Sequence, residues 1–137
     1  MKILVIDGQG GHIGHNIVEQ LIASPNVCDV IAVGTNSAAT AAMMKAGAHQ
    51  GATGENPVIV ASRQVDLIIG PMGIIAANAL MGEITPAMAL AVSESPAKKI
   101  LIPMNRCGIS VAGVKDLTMK EYTRAAVTMA LDFCKEV

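Results

Sequence analysis

The opening of the chain constrains its fold more than any other stretch. Lys2-Ile3-Leu4-Val5-Ile6 runs into Asp7-Gly8 and then Gln9-Gly10-Gly11-His12-Ile13-Gly14. An apolar run without alternation is what a strand covered on both faces of a parallel sheet requires. The glycines that follow turn the chain tightly. Ile13, Ile17, Leu21 and Ile22 then recur at helical spacing, while His12, His15, Asn16, Glu19 and Gln20 face elsewhere. Ser24-Pro25-Asn26 stops that helix. Strand, tight turn and helix in succession point to an α/β chain of Rossmann-like type.

The rest of the chain repeats the alternation. Asp29 to Val33 reads as a second strand ending at Gly34-Thr35-Asn36, and Ser37 is placed to cap a helix from Ala38 to Ala46, with Lys45 in its last turn and Gly47 beyond. Gly47 to Asn56 reads as a loop. Asn56 as cap with Pro57 at the first helical position predicts a short helix over 57–63, although Val58-Ile59-Val60 fits a strand equally well. Val65 to Ile69 is the third expected strand, and Gly73 to Met81 the next helix. Thr85 with Pro86 caps another helix, and Lys99 to Pro103 is the fourth strand.

Too few residues separate that strand from Ile109 to Val114 for a parallel crossover, so a hairpin turning at Asn105 to Gly108 and an antiparallel edge strand are expected. Thr118 and Glu121 make a capping box for the last helix, Leu117 and Tyr122 can staple it, and Tyr122, Ala126, Met129, Ala130, Phe133 and Val137 share a face. The expected architecture is one Rossmann-like three-layer domain over residues 1–137, its mostly parallel sheet of about five strands ordered 3-2-1-4 plus the antiparallel edge.

Composition narrows the function classes. Lys and Arg number 10 against 11 Asp and Glu, for a formal charge of −1, and Tyr122 and Phe133 are the only aromatics. Nucleic-acid binding lacks both its electrostatic footprint and its stacking platform. The longest uncharged stretch, Leu67 to Gly82, is shorter than the ~20 residues that span a bilayer and is broken by Gly70-Pro71 and Gly73, so no membrane partner is expected. The apolar run after Lys2 is too short for a signal-peptide core, so a cytoplasmic protein is expected. Three widely spaced cysteines, Cys28, Cys107 and Cys134, suit reduced thiols better than disulfides or a zinc site. The apolar set is 52% before 13 glycines are counted, above the ~45–50%, glycine included, of soluble domains. Either a homo-oligomer interface or closely packed alanines accounts for the surplus.

In a sheet of this order ligands bind at the carboxyl ends flanking the reversal. Two loops meet there, Asp7 to His12 and Asn105 to Gly108. Gly8, Gly10, Gly11 and Gly14 surround a helix N-terminus, where backbone N–H groups and the dipole attract an anion, so Gly8, Gln9, Gly10, Gly11 and His12 are the expected phosphate-binding residues. The same glycines also suit a tight turn and close helix packing. Ile13 stands at the third glycine of the strict dinucleotide pattern, and no acidic residue follows the second strand, which disfavours NAD. Thr35 and Asn36, with Ser37, can donate to a 2′-phosphate or another sugar group, so NADP or another nucleotide is the expected cofactor, although Asn36 and Ser37 serve equally as turn and cap residues.

Asn105 and Arg106 complete the ligand set, Arg106 as a bidentate phosphate clamp or as part of a solvated turn. The catalytic candidates are Asp7, Glu83 and Cys107. Asp7 is a base, a cation ligand or an acceptor of N–H groups within its own loop, the last being the expectation. Glu83, like Glu55, is a loop carboxylate able to act as acid or base, and Cys107 a nucleophile if Arg106 stabilises its thiolate. His12 and His15, with His49 elsewhere, are too few for a metal site, and none is expected.

The turn Gly8 to Gly14 resembles that of short-chain dehydrogenases and reductases, but Tyr122 is followed four residues on by Ala126 where that family needs lysine, so its catalytic pair is absent. Across the chain, Asp7-Gly8-Gln9-Gly10-Gly11, Gly34-Thr35-Asn36, Gly51-Ala52-Thr53-Gly54-Glu55-Asn56, Gly70-Pro71, Gly82-Glu83-Ile84-Thr85-Pro86 and Asn105-Arg106-Cys107 together resemble a family of small bacterial proteins described as domain of unknown function 3842. That resemblance implies one domain over nearly the whole chain, and no activity. Three function classes remain. The expectation is a nucleotide or dinucleotide binding module acting as a homo-oligomer on a small phosphate-bearing ligand. The alternatives are a small oligomeric enzyme acting on a nucleotide or phosphorylated metabolite, and a structural oligomer without ligand. Binding is favoured over catalysis because a neighbouring subunit, or the loops Gly47 to Asn56 and Gly70 to Thr85, would have to close the pocket.

Overall fold

The computed structural model describes residues 1–25, 29–103 and 108–136. Strand β1 (Lys2–Asp7) leads into helix α1 (His12–Ile22), β2 (Asp29–Gly34), α2 (Ser37–Lys45), β3 (Gln50–Thr53), α3 (Glu55–Ser62) and β4 (Leu67–Pro71). A 3-10 turn (Met72–Ile75), α4 (Pro86–Glu94), β5 (Lys98–Ile102) and α5 (Met119–Glu136) complete it. The strands form one sheet of order β3-β2-β1-β4-β5, parallel at every pairing.

The three layers follow from the side-chain alternation of the central strands. Ile3 and Val5 of β1 and Leu67 and Ile69 of β4 pack with Ile17, Leu21, Met43, Ala126 and Ala130 of α1, α2 and α5. Leu4, Ile6 and Ile68 face the other way, onto Val58, Met88 and Val92 of α3 and α4. Both faces of β1 are thus covered, which is why its sequence runs apolar without alternation. Each fully buried aliphatic side chain contributes roughly 1.5–3 kcal/mol. Among the described residues no helix is long and apolar enough to cross a membrane.

The order has the expected 3-2-1-4 form, but its members differ. The third strand is Gln50–Thr53, inside the expected loop, so the stretch read as third becomes β4 and pairs with β1. β3 carries little strand signal because it holds its place by backbone pairing to β2, and Gly51 lets it pass under α2, where a Cβ would lie 2.5 Å from Met44 Sδ. The antiparallel edge is corrected as well. Residues 109–114 form no strand, and β5 itself ends the sheet, parallel to β4. Val114 N–H closes a turn on the Val111 carbonyl at 3.4 Å. The Tyr122 hydroxyl donates to the Lys115 carbonyl and ties this segment to α5.

The stretch 57–63 resolves as helix up to Ser62 with Arg63 as its cap, α3 starting at Glu55 behind Gly54. The expected helix over 73–81 is only the 3-10 turn, followed by a loop with Asn78, Leu80, Met81 and Gly82 all left-handed. That loop closes on itself through Asn78 N–H to the Ile84 carbonyl at 2.7 Å, which buries Ala79 and Ile84. The cap of α2 is Asn36 rather than Ser37, its Oδ1 accepting from Ala39 N–H at 2.9 Å. Thr85 caps α4 as expected, with Pro86 at its first position. The Thr118–Glu121 capping box forms in both directions at 3.2 Å. The buried face of α5 is Thr123, Ala126, Val127 and Ala130, and Met129 is 54% exposed. Thr123 joins that face because its hydroxyl donates to the Met119 carbonyl at 2.9 Å.

Candidate functional site

After β3 the chain returns through α3 to the far side of β1, so the sheet reverses between β1 and β4 and their carboxyl ends part there. A cavity of about 270 Å³ occupies this position. Gly8 to Ile13 line one side, with Asp7 beneath, and Pro71, Leu80 and Met119 line the other. Of the two loops expected to close the pocket, 70–85 reaches it through Pro71 and Leu80, whereas 47–56 is spent on β3 and the start of α3. A second cavity of about 520 Å³ lies beside it over the ends of β4 and β5, lined by Met72, Pro103 and the stretch from Ile109 to Tyr122, with Met119 common to both.

Asp7 is 4% exposed at the end of β1. Its Oδ1 accepts from Gly8 N–H at 2.8 Å and its Oδ2 from Gly14 N–H at 2.6 Å. Burial pushes the carboxyl above the ordinary aspartate value, outweighing the two backbone donors. The residue thus clamps the first turn to α1, and both oxygens are occupied.

The glycines divide by what surrounds them. At Gly11, φ is 75° and a Cβ would lie 2.8 Å from the Ala39 Cα, so this position permits the approach of α1 to α2. A Cβ on Gly14 would meet Met43 Sδ at 2.5 Å and the Asp7 Cβ at 2.8 Å. One on Gly8 would meet Thr35 Oγ1 at 2.7 Å and Glu83 Oε1 at 2.9 Å. Of these four, Gly10 alone has open space apart from the His12 ring, 3.0 Å away. Close packing therefore explains Gly11 and Gly14, and Gly10 faces outward for another reason. Gly11 N–H donates to the Gly8 carbonyl at 2.9 Å. The N–H groups of Gly10, His12 and Ile13 meet no acceptor among the described residues.

Glu83 joins this constellation from across the sheet. Its Oε1 accepts from Gln9 N–H at 2.8 Å, from Thr35 Oγ1 at 2.5 Å and from Asn36 Nδ2 at 2.9 Å. Partial burial opposes ionisation, but the bonds from Thr35, Gln9 and Asn36 prevail and hold the carboxyl below the ordinary glutamate value. Asn36 Nδ2 also donates to the Gln9 carbonyl at 3.0 Å. The structure thus gathers Asp7, Gly8, Gln9, Gly10, Gly11, His12, Thr35, Asn36 and Glu83 at one end of the sheet. Asn105, Arg106 and Cys107 lie outside the described residues, as does Cys28.

Sequence reasoning sought an acidic group directly after β2 and found none; the structure supplies one there from the loop before α4. It expected the 70–85 loop over the pocket without singling out Pro71 or Leu80, and it missed Met119. Gly70-Pro71 at a strand end was a usable signal for the first, but Leu80 and Met119 carry none. Glu55 is engaged by the Thr85 hydroxyl at 2.5 Å. His49 Nδ1 accepts from Val30 N–H at 3.0 Å, away from this site. Among the described residues no group of three His, Cys, Asp or Glu side chains is placed to hold a metal ion.

A family model described as domain of unknown function (DUF3842) matches residues 2–135. No curated protein and no solved structure matches the chain.

Proposed function

We propose that this chain, which belongs to the DUF3842 family, is a binding module for a nucleotide or dinucleotide held by its phosphate at the first turn. The observation that carries this reading is the set of N–H groups on Gly10, His12 and Ile13, without acceptors among the described residues, bordering the cavity where β1 and β4 part. A helix N-terminus carries about half a positive charge, and its free N–H groups are the usual partners of a phosphate oxygen. Gly10 adds the open approach that a phosphate needs.

Binding is supported over catalysis by the state of the carboxylates. Both Asp7 oxygens are committed to backbone N–H groups, and one Glu83 oxygen already takes three donors. These bonds hold the first turn and the loop before α4 in place, which is the work of a binding site.

The test is a thermal-shift screen with NAD, NADP, ATP, GTP, coenzyme A and nucleotide sugars. A ligand at 100 times its Kd adds about 2.7 kcal/mol to the folded state. Gly10→Leu is the matched control, because Gly10 has no left-handed φ and a Cβ there meets only the His12 ring. We expect Gly10→Leu to fold normally and to lose about tenfold or more in affinity, equivalent to ~1.4 kcal/mol. A folded Gly10→Leu chain with unchanged affinity would refute the phosphate assignment.

A further inference from the structure

We infer that Glu83 reads the ribose of the bound nucleotide, accepting from a free 2′-hydroxyl and turning away a 2′-phosphate. The inference rests on the nucleotide reading above and specifies its ligand class. In dinucleotide-binding sheets an acidic side chain at the end of the second strand accepts from the ribose hydroxyls. Here that strand ends in Gly34-Thr35-Asn36, which would suit a 2′-phosphate if Thr35 and Asn36 were available as donors. They are not, because both donate to Glu83 Oε1.

Three donors from two separate loops converge on that single oxygen and fix the carboxylate between the ends of β1 and β2. Glu83 Oε2 takes no donor among the described residues. A carboxylate has about four acceptor sites, so this oxygen keeps its capacity for hydroxyl donors. Gly8 and Gln9 are common to both features: they line the cavity, and they touch or donate to Glu83. A phosphate held by the N–H groups of Gly10, His12 and Ile13 would, on this inference, carry its sugar past Gly8 and Gln9 at the cavity edge toward Glu83, which itself stands outside the cavity lining. The hydrogen bonds keep the carboxylate ionised near neutrality, and a 2′-phosphate brought against it meets like charge.

The experiment is titration calorimetry of the full chain with NAD and NADP, which differ only in the 2′-phosphate, on wild type, Glu83→Gln and Glu83→Ala. The expected result is NAD binding tighter than NADP by about tenfold or more in wild type. In both variants that ratio should fall toward one as NADP gains. Equal or tighter NADP binding in wild type overturns the inference, as does an unchanged ratio in the variants. If both ligands gain equally when Glu83 is removed, the carboxylate merely occupies the ligand's place, and the inference also fails. Binding of ATP or GTP that Gly10→Leu abolishes, with no ribose preference between the dinucleotides, would sink the inference and leave the phosphate site standing. Absence of binding by any of these ligands would overturn both.

Discussion

Asp7 sets one term of the site's balance at the level of a single carboxyl. Its charge is buried against two N–H donors, and desolvation wins, so its folded-state value lies above 3.8. Between the unfolded and folded values the native chain holds the extra proton, and ionising Asp7 costs stability as pH rises through that window. Carbon-detected NMR titration should place the Asp7 carboxyl above 3.8; a value at or below it would mean that the Gly8 and Gly14 bonds dominate. Asp7→Asn keeps one acceptor and presents an NH2 group to a second donor. We expect a loss of about 1–3 kcal/mol in urea unfolding, most of it from the unsatisfied Gly14 N–H. Glu83 has the opposite sign. With its folded value lowered, the bonds to Gln9, Thr35 and Asn36 contribute stability above the unfolded glutamate value, and that contribution is lost as pH falls through the folded one.

The packing of α1 against α2 turns the glycine pattern into a ranking of substitutions. An alanine at Gly11 is strained by its left-handed φ and collides with α2 backbone, which cannot retreat cheaply. One at Gly14 presses on Met43 and Asp7, of which the methionine can give. One at Gly10 meets a single exposed ring. Thermal unfolding of the three alanine variants should rank Gly11 as most damaging, at about 1–3 kcal/mol or more, then Gly14, with Gly10 near neutral. Equal effects at all three would show that the turn acts as a unit. Elements with strong side-chain signals were legible in the sequence. The uninterrupted apolar runs of β1, β2 and β4 announced burial on both faces, and Thr85-Pro86 and Thr118-Glu121 announced helix starts. β3 was not legible, because Gln50-Gly51-Ala52-Thr53 pairs through backbone and leaves little apolar pattern. Residues 109–114 misled in the opposite direction: β5 leaves an edge open, but Ile109, Val111 and Val114 line the cavity over the ends of β4 and β5 instead of pairing with it. In the site, the turn residues could be read from one local motif, but Glu83 lies 74 residues from Gln9 and meets it only because the sheet order brings their loops together.

That long-range meeting has a consequence for the whole molecule. The loop between the 3-10 turn and α4 holds four left-handed residues and the fully exposed Met81, yet it is fastened to the ends of β1 and β2 by one carboxylate. Such a loop opens at lower free energy than the central strands, whose amides are paired and covered on both faces. A ligand that engages both the first turn and Glu83 binds only the closed arrangement, so its binding energy must appear in the loop as well as in the turn. Hydrogen exchange should therefore show residues 76–84 exchanging well before β1 and β4 in the free chain. With saturating nucleotide, the amides of Gly10, His12 and Ile13 should slow together with those of 76–84. Glu83→Ala should uncouple them, leaving ligand protection at the turn and removing it from the loop. Protection confined to the turn in the wild-type chain would mean that the loop plays no part in holding the ligand, whatever Glu83 contacts in its absence.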